Sequence, residues 1–256
     1  MSSGTPNSKQ PGNSKQPGAS DSRFASTRWS LIQSAGTERE RKQRALSELC
    51  EIYWYPLYTF LRRNGHAHAD AEDLTQGFFS ELIEKDYVNS ADPEKGRFRT
   101  FLLTALKRYA AKQRERDSAQ KRGGHLKKLS IDFTAGESQY AHEPTHSWTA
   151  EREFERQWAV TLLQQAMSQL RASYEQTGKS EIFSRLKPFL TTGTGEESYA
   201  EIAEQLGLSL SAIKVTAYRM RQKYQELLRA EVRNTTRSES EVEDELRHLV
   251  EALSAR

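Results

Sequence analysis

Residues Ser198–Arg221, SYAEIAEQLGLSLSAIKVTAYRMR, read as two short helices joined by a tight turn, and this reading decides the fold class. Ser198 with Glu201 forms a capping box, in which each side chain satisfies a backbone N–H left free at the helix start. Ile202, Leu206, Leu208 and Ile213 are spaced to make the small core between the two helices. Ala203 is small where the second helix crosses closely, and Gly207 can take the positive φ that most side chains resist. Ser209 or Ser211 caps the second helix. Its free face is expected to present Ser211, Lys214, Val215, Tyr218, Arg219 and Lys223. Cations and small hydroxyls on a free helical face suit the major groove of DNA, where bases are read and phosphates clamped. The plainer alternative is a hairpin inside a larger bundle with solvated lysines. The cap, the Ala203/Gly207 pair and four bases without an acid in Lys214–Lys223 favour DNA.

Helical periodicity continues on both sides of this unit, so the chain is expected to be all-α: two small helical domains joined by a flexible linker, the second containing the helix-turn-helix. Upstream, Phe154, Trp158, Leu162, Leu163, Met167 and Leu170 recur at helical spacing. Further upstream, the run Ala45–Arg63 carries Leu46, Leu49, Tyr53, Leu57, Phe60 and Leu61, with Pro56 predicting a kink or break. Asp70–Lys85 places Leu74, Phe78, Phe79, Leu82 and Ile83 on one stripe, and Phe98–Arg116 repeats the scheme with Phe101, Leu102, Ala105, Leu106 and Tyr109. Trp29, Leu31 and Ile32 begin the helical pattern of this first half. The expected divisions are a tail over 1–24, a first domain over 25–122, a linker over 123–150, a second domain over 151–233 and a charged extension over 234–256. The tail holds the hexapeptide NSKQPG twice, Asn7–Gly12 and Asn13–Gly18, and is too polar to offset its ordering entropy. Gly123–Pro144 shows no sustained period and reads as the linker. In the extension, Val242, Leu246, Leu249, Val250 and Leu253 could line a last amphipathic helix, which either binds an inhibitor or folds back on the domains.

Charge is segregated along the 256 residues although the net formal charge is only +3. Asp70–Asp86 holds six acids and one base; Arg97–Lys128 holds eleven bases against Glu115 and Asp117; Glu239–Glu251 holds six acids and one Arg. Two basic blocks and a separate acidic face imply a polyanion together with a protein partner. Cys50 is the only cysteine, which excludes an intrachain disulfide and a cysteine-based zinc site. Its apolar neighbours Leu49, Ile52 and Tyr53 point to a buried thiol rather than a nucleophile. No run approaches the ~18 apolar residues of a membrane span, and the N-terminus lacks the apolar core of a secretion signal. The expectation is a cytoplasmic protein with no membrane partner.

Three segments in order carry a resemblance. Ala69–Phe79, ADAEDLTQGFF, resembles the polymerase-binding segment of the bacterial RNA polymerase sigma factors, in their two-domain extracytoplasmic-function class. Gly96–Leu103, GRFRTFLL, resembles the start of that family's promoter-melting and −10-reading helix, and Tyr199–Arg221 resembles its −35-reading helix-turn-helix. The resemblance covers most of Ala45–Leu228 and implies a factor that binds core polymerase and directs promoter recognition, DNA melting and transcription initiation. It implies that Asp70, Asp73 and Gln76, on the polar face opposite Leu74 and Phe78, grip a coiled coil of the β′ subunit, with the β subunit a second contact. It implies that Tyr87, Arg97, Phe98, Arg99, Lys107, Arg108, Lys112, Arg114 and Arg116 handle the −10 element. Opening DNA requires a place for an unstacked base and a basic path for the separated strand. Ser211, Lys214, Val215, Tyr218, Arg219 and Lys223 become the −35 set. Promoter DNA and core polymerase are the implied partners, with an anti-sigma factor or other regulator as a further one.

The chain departs from the family at several points. Arg108 stands where the family often has Asn, and Val215 and Thr216 follow Lys214 where the family usually continues Ser-Arg. Tyr174–Glu197 is longer than the usual connection before the helix-turn-helix. The alternative function is a conventional helix-turn-helix regulator that acts without being a polymerase subunit. An enzyme is not expected: His66, His68, Asp70, Glu72 and Asp73 mimic a metal cluster, but acids at a helix start complement its dipole without a metal. No catalytic residue, metal ligand or cofactor is assigned, and no phosphate loop or nucleophile elbow is present in the sequence.

Overall fold

A computed structural model describes Met1 and residues 39–84, 97–119, 133–141, 148–191, 197–236 and 239–254. Among these residues there are ten α-helices and no strand, so the fold is all-α as expected. Tyr87, Gly96, the tail over 1–24 beyond Met1, and Trp29, Leu31 and Ile32 lie outside the described residues.

The helices follow the hydrophobic periods closely. They are α1 (Arg39–Arg63), α2 (His68–Glu84), α3 (Phe98–Ala119), α4 (Phe133–Ala141), α5 (Ala150–Gln176), α6 (Ser180–Leu186), α7 (Pro188–Thr191), α8 (Tyr199–Gln205), α9 (Leu210–Arg233) and α10 (Glu239–Ser254). Of the kink or break expected at Pro56, a break does not occur: α1 runs unbroken through it. Ile52, Tyr53, Tyr55, Leu57, Tyr58, Phe60 and Leu61 are all buried around the proline. Burying a large apolar side chain is worth roughly 1.5–3 kcal/mol, so several together outweigh the ~3 kcal/mol cost of an interior proline.

Two buried clusters organise the molecule. The larger joins α1, α2 and α3 with Phe133 of α4, with Phe154, Trp158, Ala159 and Leu162 of α5, and with Val242, Leu249 and Ala252 of α10. The smaller joins Leu170 of α5 with Phe183 and Leu186 of α6, Ile202 and Ala203 of α8, and Ile213, Ala217 and Met220 of α9. Helix α5 therefore enters both. Its N-terminal half packs along α1 and its C-terminal half carries the α8–α9 pair. Thr149 starts it by accepting from the Arg152 N–H at 3.2 Å. Near its N-terminal end the buried Glu153 pairs with Arg63 of α1 at 3.8 Å.

Within the stretch expected to show no sustained period lies α4, and that expectation is corrected. Phe133, Gly136 and Tyr140 recur at helical spacing and lie against Trp54 and Tyr58 of α1. Glu137 adds polar anchors: it accepts from the Tyr58 hydroxyl and pairs with Arg62 at 3.2 Å. The Tyr58 hydroxyl also lies 2.9 Å from His68 Nδ1, so that histidine faces α1 and α4. A Cβ on Gly136 would stand 2.7 and 2.8 Å from two atoms of the Trp54 ring, which explains a glycine inside a helix. Gly136→Ala is expected to destabilise by about 1–2 kcal/mol by displacing that ring, despite alanine's better helix propensity. Thermal unfolding with tryptophan emission as the probe checks this; a more stable variant would show that α4 does not dock so closely.

Candidate nucleic-acid interface

The α8–α9 pair is built by local rules. Ser198 accepts from the Glu201 N–H at 3.3 Å while Glu201 accepts from the Ser198 N–H at 2.6 Å, completing the capping box. That bond from the backbone N–H holds the Glu201 carboxyl below its ordinary value. Gly207 has φ +62°, and Leu208 N–H returns to the Ala203 carbonyl at 2.9 Å to close the turn. Ser209, of the two candidates, caps α9 by accepting from the Ala212 N–H at 3.2 Å. Ile202, Ala203 and Ile213 are buried between the helices and Leu206 packs partly against them. Leu208 corrects the expected core: it follows the positive-φ turn at Gly207 and is 42% exposed.

Every residue of the expected reading face is exposed: Ser211, Lys214, Val215, Tyr218, Arg219 and Lys223. They lie opposite Ile213, Ala217 and Met220, which bury against the smaller cluster. Arg221 is exposed as well. Lys223 reaches Glu226 at 3.4 Å, an exposed pair whose geometry holds the lysine only loosely. Thr216, by contrast, is half-buried and its hydroxyl donates to the Ala212 carbonyl at 2.8 Å.

A second basic face lies on α3. Lys107, Arg108, Lys112, Arg114 and Arg116 are exposed, with Lys107 against Glu151 at 2.7 Å and Lys112 against Glu81 at 3.8 Å. The first turn of α3 departs from expectation. Phe98 is buried, packing edge-on to Tyr53 at 5.6 Å, so it is a core ring in this arrangement rather than a free stacking surface. Arg99 is 3% exposed; its guanidinium lies 4.2 Å from the Trp158 ring and donates to Glu155 at 2.6 Å and to Glu245. Arg97, at the surface, pairs with the same Glu245 at 2.7 Å. The acidic helix α10 thus covers the beginning of α3, and Glu155 is shared with His248 of α10 at 3.0 Å. Periodicity could not show this, because the carboxylates come from residues more than fifty positions away.

The Arg99 network makes a testable contrast. Glu245→Ala is expected to cost about 3 kcal/mol, since it strips a buried guanidinium of one carboxylate. Glu243→Ala, two residues away from Glu245 on the same helix, removes an exposed partner of Arg229 at 2.5 Å and is expected to cost little. Urea midpoints of the two variants decide it; equal shifts would mean that Glu245 is no more engaged than a surface acid.

Of the three residues expected on the polar face of α2, Asp70 and Asp73 are exposed. Gln76 is buried, its amide donating to Glu72 at 3.1 Å, because Thr75–Ser80 all turn into the packing of α2 on α1 and α3. His66, near Arg114, has its pKa lowered first by burial and then by that arginine, with Asp70 opposing. Cys50 is buried and burial pushes its thiol up to about 12, leaving no thiolate nucleophile. Among the described residues no group of three or more His, Cys, Asp or Glu is placed to hold a metal ion, and no helix is long and apolar enough to cross a membrane.

What this arrangement can do chemically is bind a polyanion on two helical faces and meet a cationic partner at the start of α2. No protein-family model matches the chain, and no curated protein or solved structure matches it either.

Proposed function

We propose that the chain is a transcription initiation factor of the sigma type, which binds core RNA polymerase and brings it to promoter DNA. The observation that carries this reading is the pairing of two exposed basic helical faces, α3 and α9, with a separate exposed acid pair, Asp70 and Asp73. One basic face on a helix-turn-helix accounts for duplex binding. A second face on a different element suits a separated strand, whose backbone needs cations along its path. The acid pair supplies a protein contact that DNA binding does not need.

The test is reconstitution. Purified protein added to polymerase core lacking its own sigma subunit should produce promoter-dependent transcripts from a genomic promoter library. Absence of stimulated transcripts from every promoter sinks the proposal. A conventional regulator, the second reading, binds duplex DNA tightly but does not travel with core polymerase on gel filtration.

A further inference from the structure

Among the described residues, six large hydrophobic side chains are exposed, and four of them, Leu208, Leu210, Val215 and Tyr218, belong to the α8–α9 pair. Concentration on one unit is not what scattered surface apolar residues do. Val215 is 46% exposed and lies near the middle of the basic face. Helical spacing puts Ser211 one turn before it, Arg219 one turn after it and Tyr218 beside it, while Lys214 precedes it in sequence on the same exposed face. The side chain next in sequence, Thr216, is turned inward with its hydroxyl engaged by the Ala212 carbonyl. Of the pair Val215/Thr216, only Val215 is therefore offered outward.

An apolar side chain on a face that also carries Lys214, Arg219 and Lys223 suits a polyanion that bears an apolar group. The major groove of duplex DNA has one such group, the C5-methyl of thymine. An RNA duplex offers no equivalent, since its major groove is too deep and narrow for side chains to read. We infer that Val215 is a specificity-determining residue that selects thymine at one position of the duplex bound by α9, by packing its methyl groups on the thymine methyl. The inference rests on the helix-turn-helix part of the proposed function and adds the base preference.

The experiment uses the full chain, alone and bound to core polymerase, to select duplexes from a random pool. Each thymine of the enriched sequence is then replaced singly by uracil, which removes only the methyl. For the wild type, uracil at one position should lower affinity about fourfold, the worth of one buried methyl-sized group. In Val215→Ala that sensitivity should vanish, while Thr216→Ala should retain it. Uniform tolerance of uracil by the wild type overturns the inference, as does sensitivity that persists in Val215→Ala. So does a Val215→Ala variant that loses core polymerase but keeps duplex affinity, which would make the patch a protein-docking face. Failure to enrich any duplex in either state is a different result: it removes the DNA-binding reading itself, and the base preference with it.

Discussion

Replacing Trp158 by alanine is expected to lower the stability of the fold by about 4 kcal/mol, near the upper end for a core aromatic. The indole is completely buried in the larger cluster. It packs where α5 meets α1, carries the Arg99 guanidinium 4.2 Å from its ring, and has the His248 ring 6.3 Å away on α10. Alanine would leave a cavity and also remove the surface over which a buried cation lies. Trp158→Phe keeps an aromatic face and most of the volume, and should lose roughly 1–2 kcal/mol. Urea unfolding followed by far-UV dichroism gives both numbers. Because α5 enters both clusters, the alanine variant should unfold in one transition at lower urea. A loss below ~1 kcal/mol, or an early partial transition that spares α9, would show that α5 does not tie the clusters together.

The second large effect is on duplex binding. Lys214→Gln, Arg219→Gln and Lys223→Gln combined should weaken affinity for duplex DNA by about a thousandfold at low salt, and flatten the dependence of log affinity on log salt by roughly 2 to 3. All three side chains are exposed, so the fold should be unaffected. Arg171→Gln is the control: it removes a charge from an exposed part of α5, where Arg171 pairs with Glu175 at 2.7 Å, and should leave the slope alone. Fluorescence anisotropy across a salt series reads both. If the triple variant keeps the wild-type slope, the phosphates are met elsewhere and α9 is not the reading helix.

Local features were legible from residues alone wherever chemistry acts over a few positions. The capping box at Ser198 and Glu201, the positive φ of Gly207 and the outward set on α9 all follow from spacing and backbone sterics. The same spacing rules missed α4, a nine-residue helix containing a glycine. Its stability comes from Trp54 and Tyr58 of another element, and no local pattern announces that. They also put Gln76 on a free face and Leu208 in a core, because periodicity tells which residues share a side but not what covers that side.

What the sequence by itself determined is therefore the all-α class, the position of most helices and the basic face of α9. These depend on interactions within a turn or two of helix, and such contacts are written in consecutive residues. What only the tertiary structure decided is which cations are free. Arg97 and Arg99 read as part of the basic block, yet Glu245 and Glu155 hold them, while Lys214 and Arg219 remain at the surface. A charge acts according to its burial and its nearest opposite charge, and both are set by how distant helices pack.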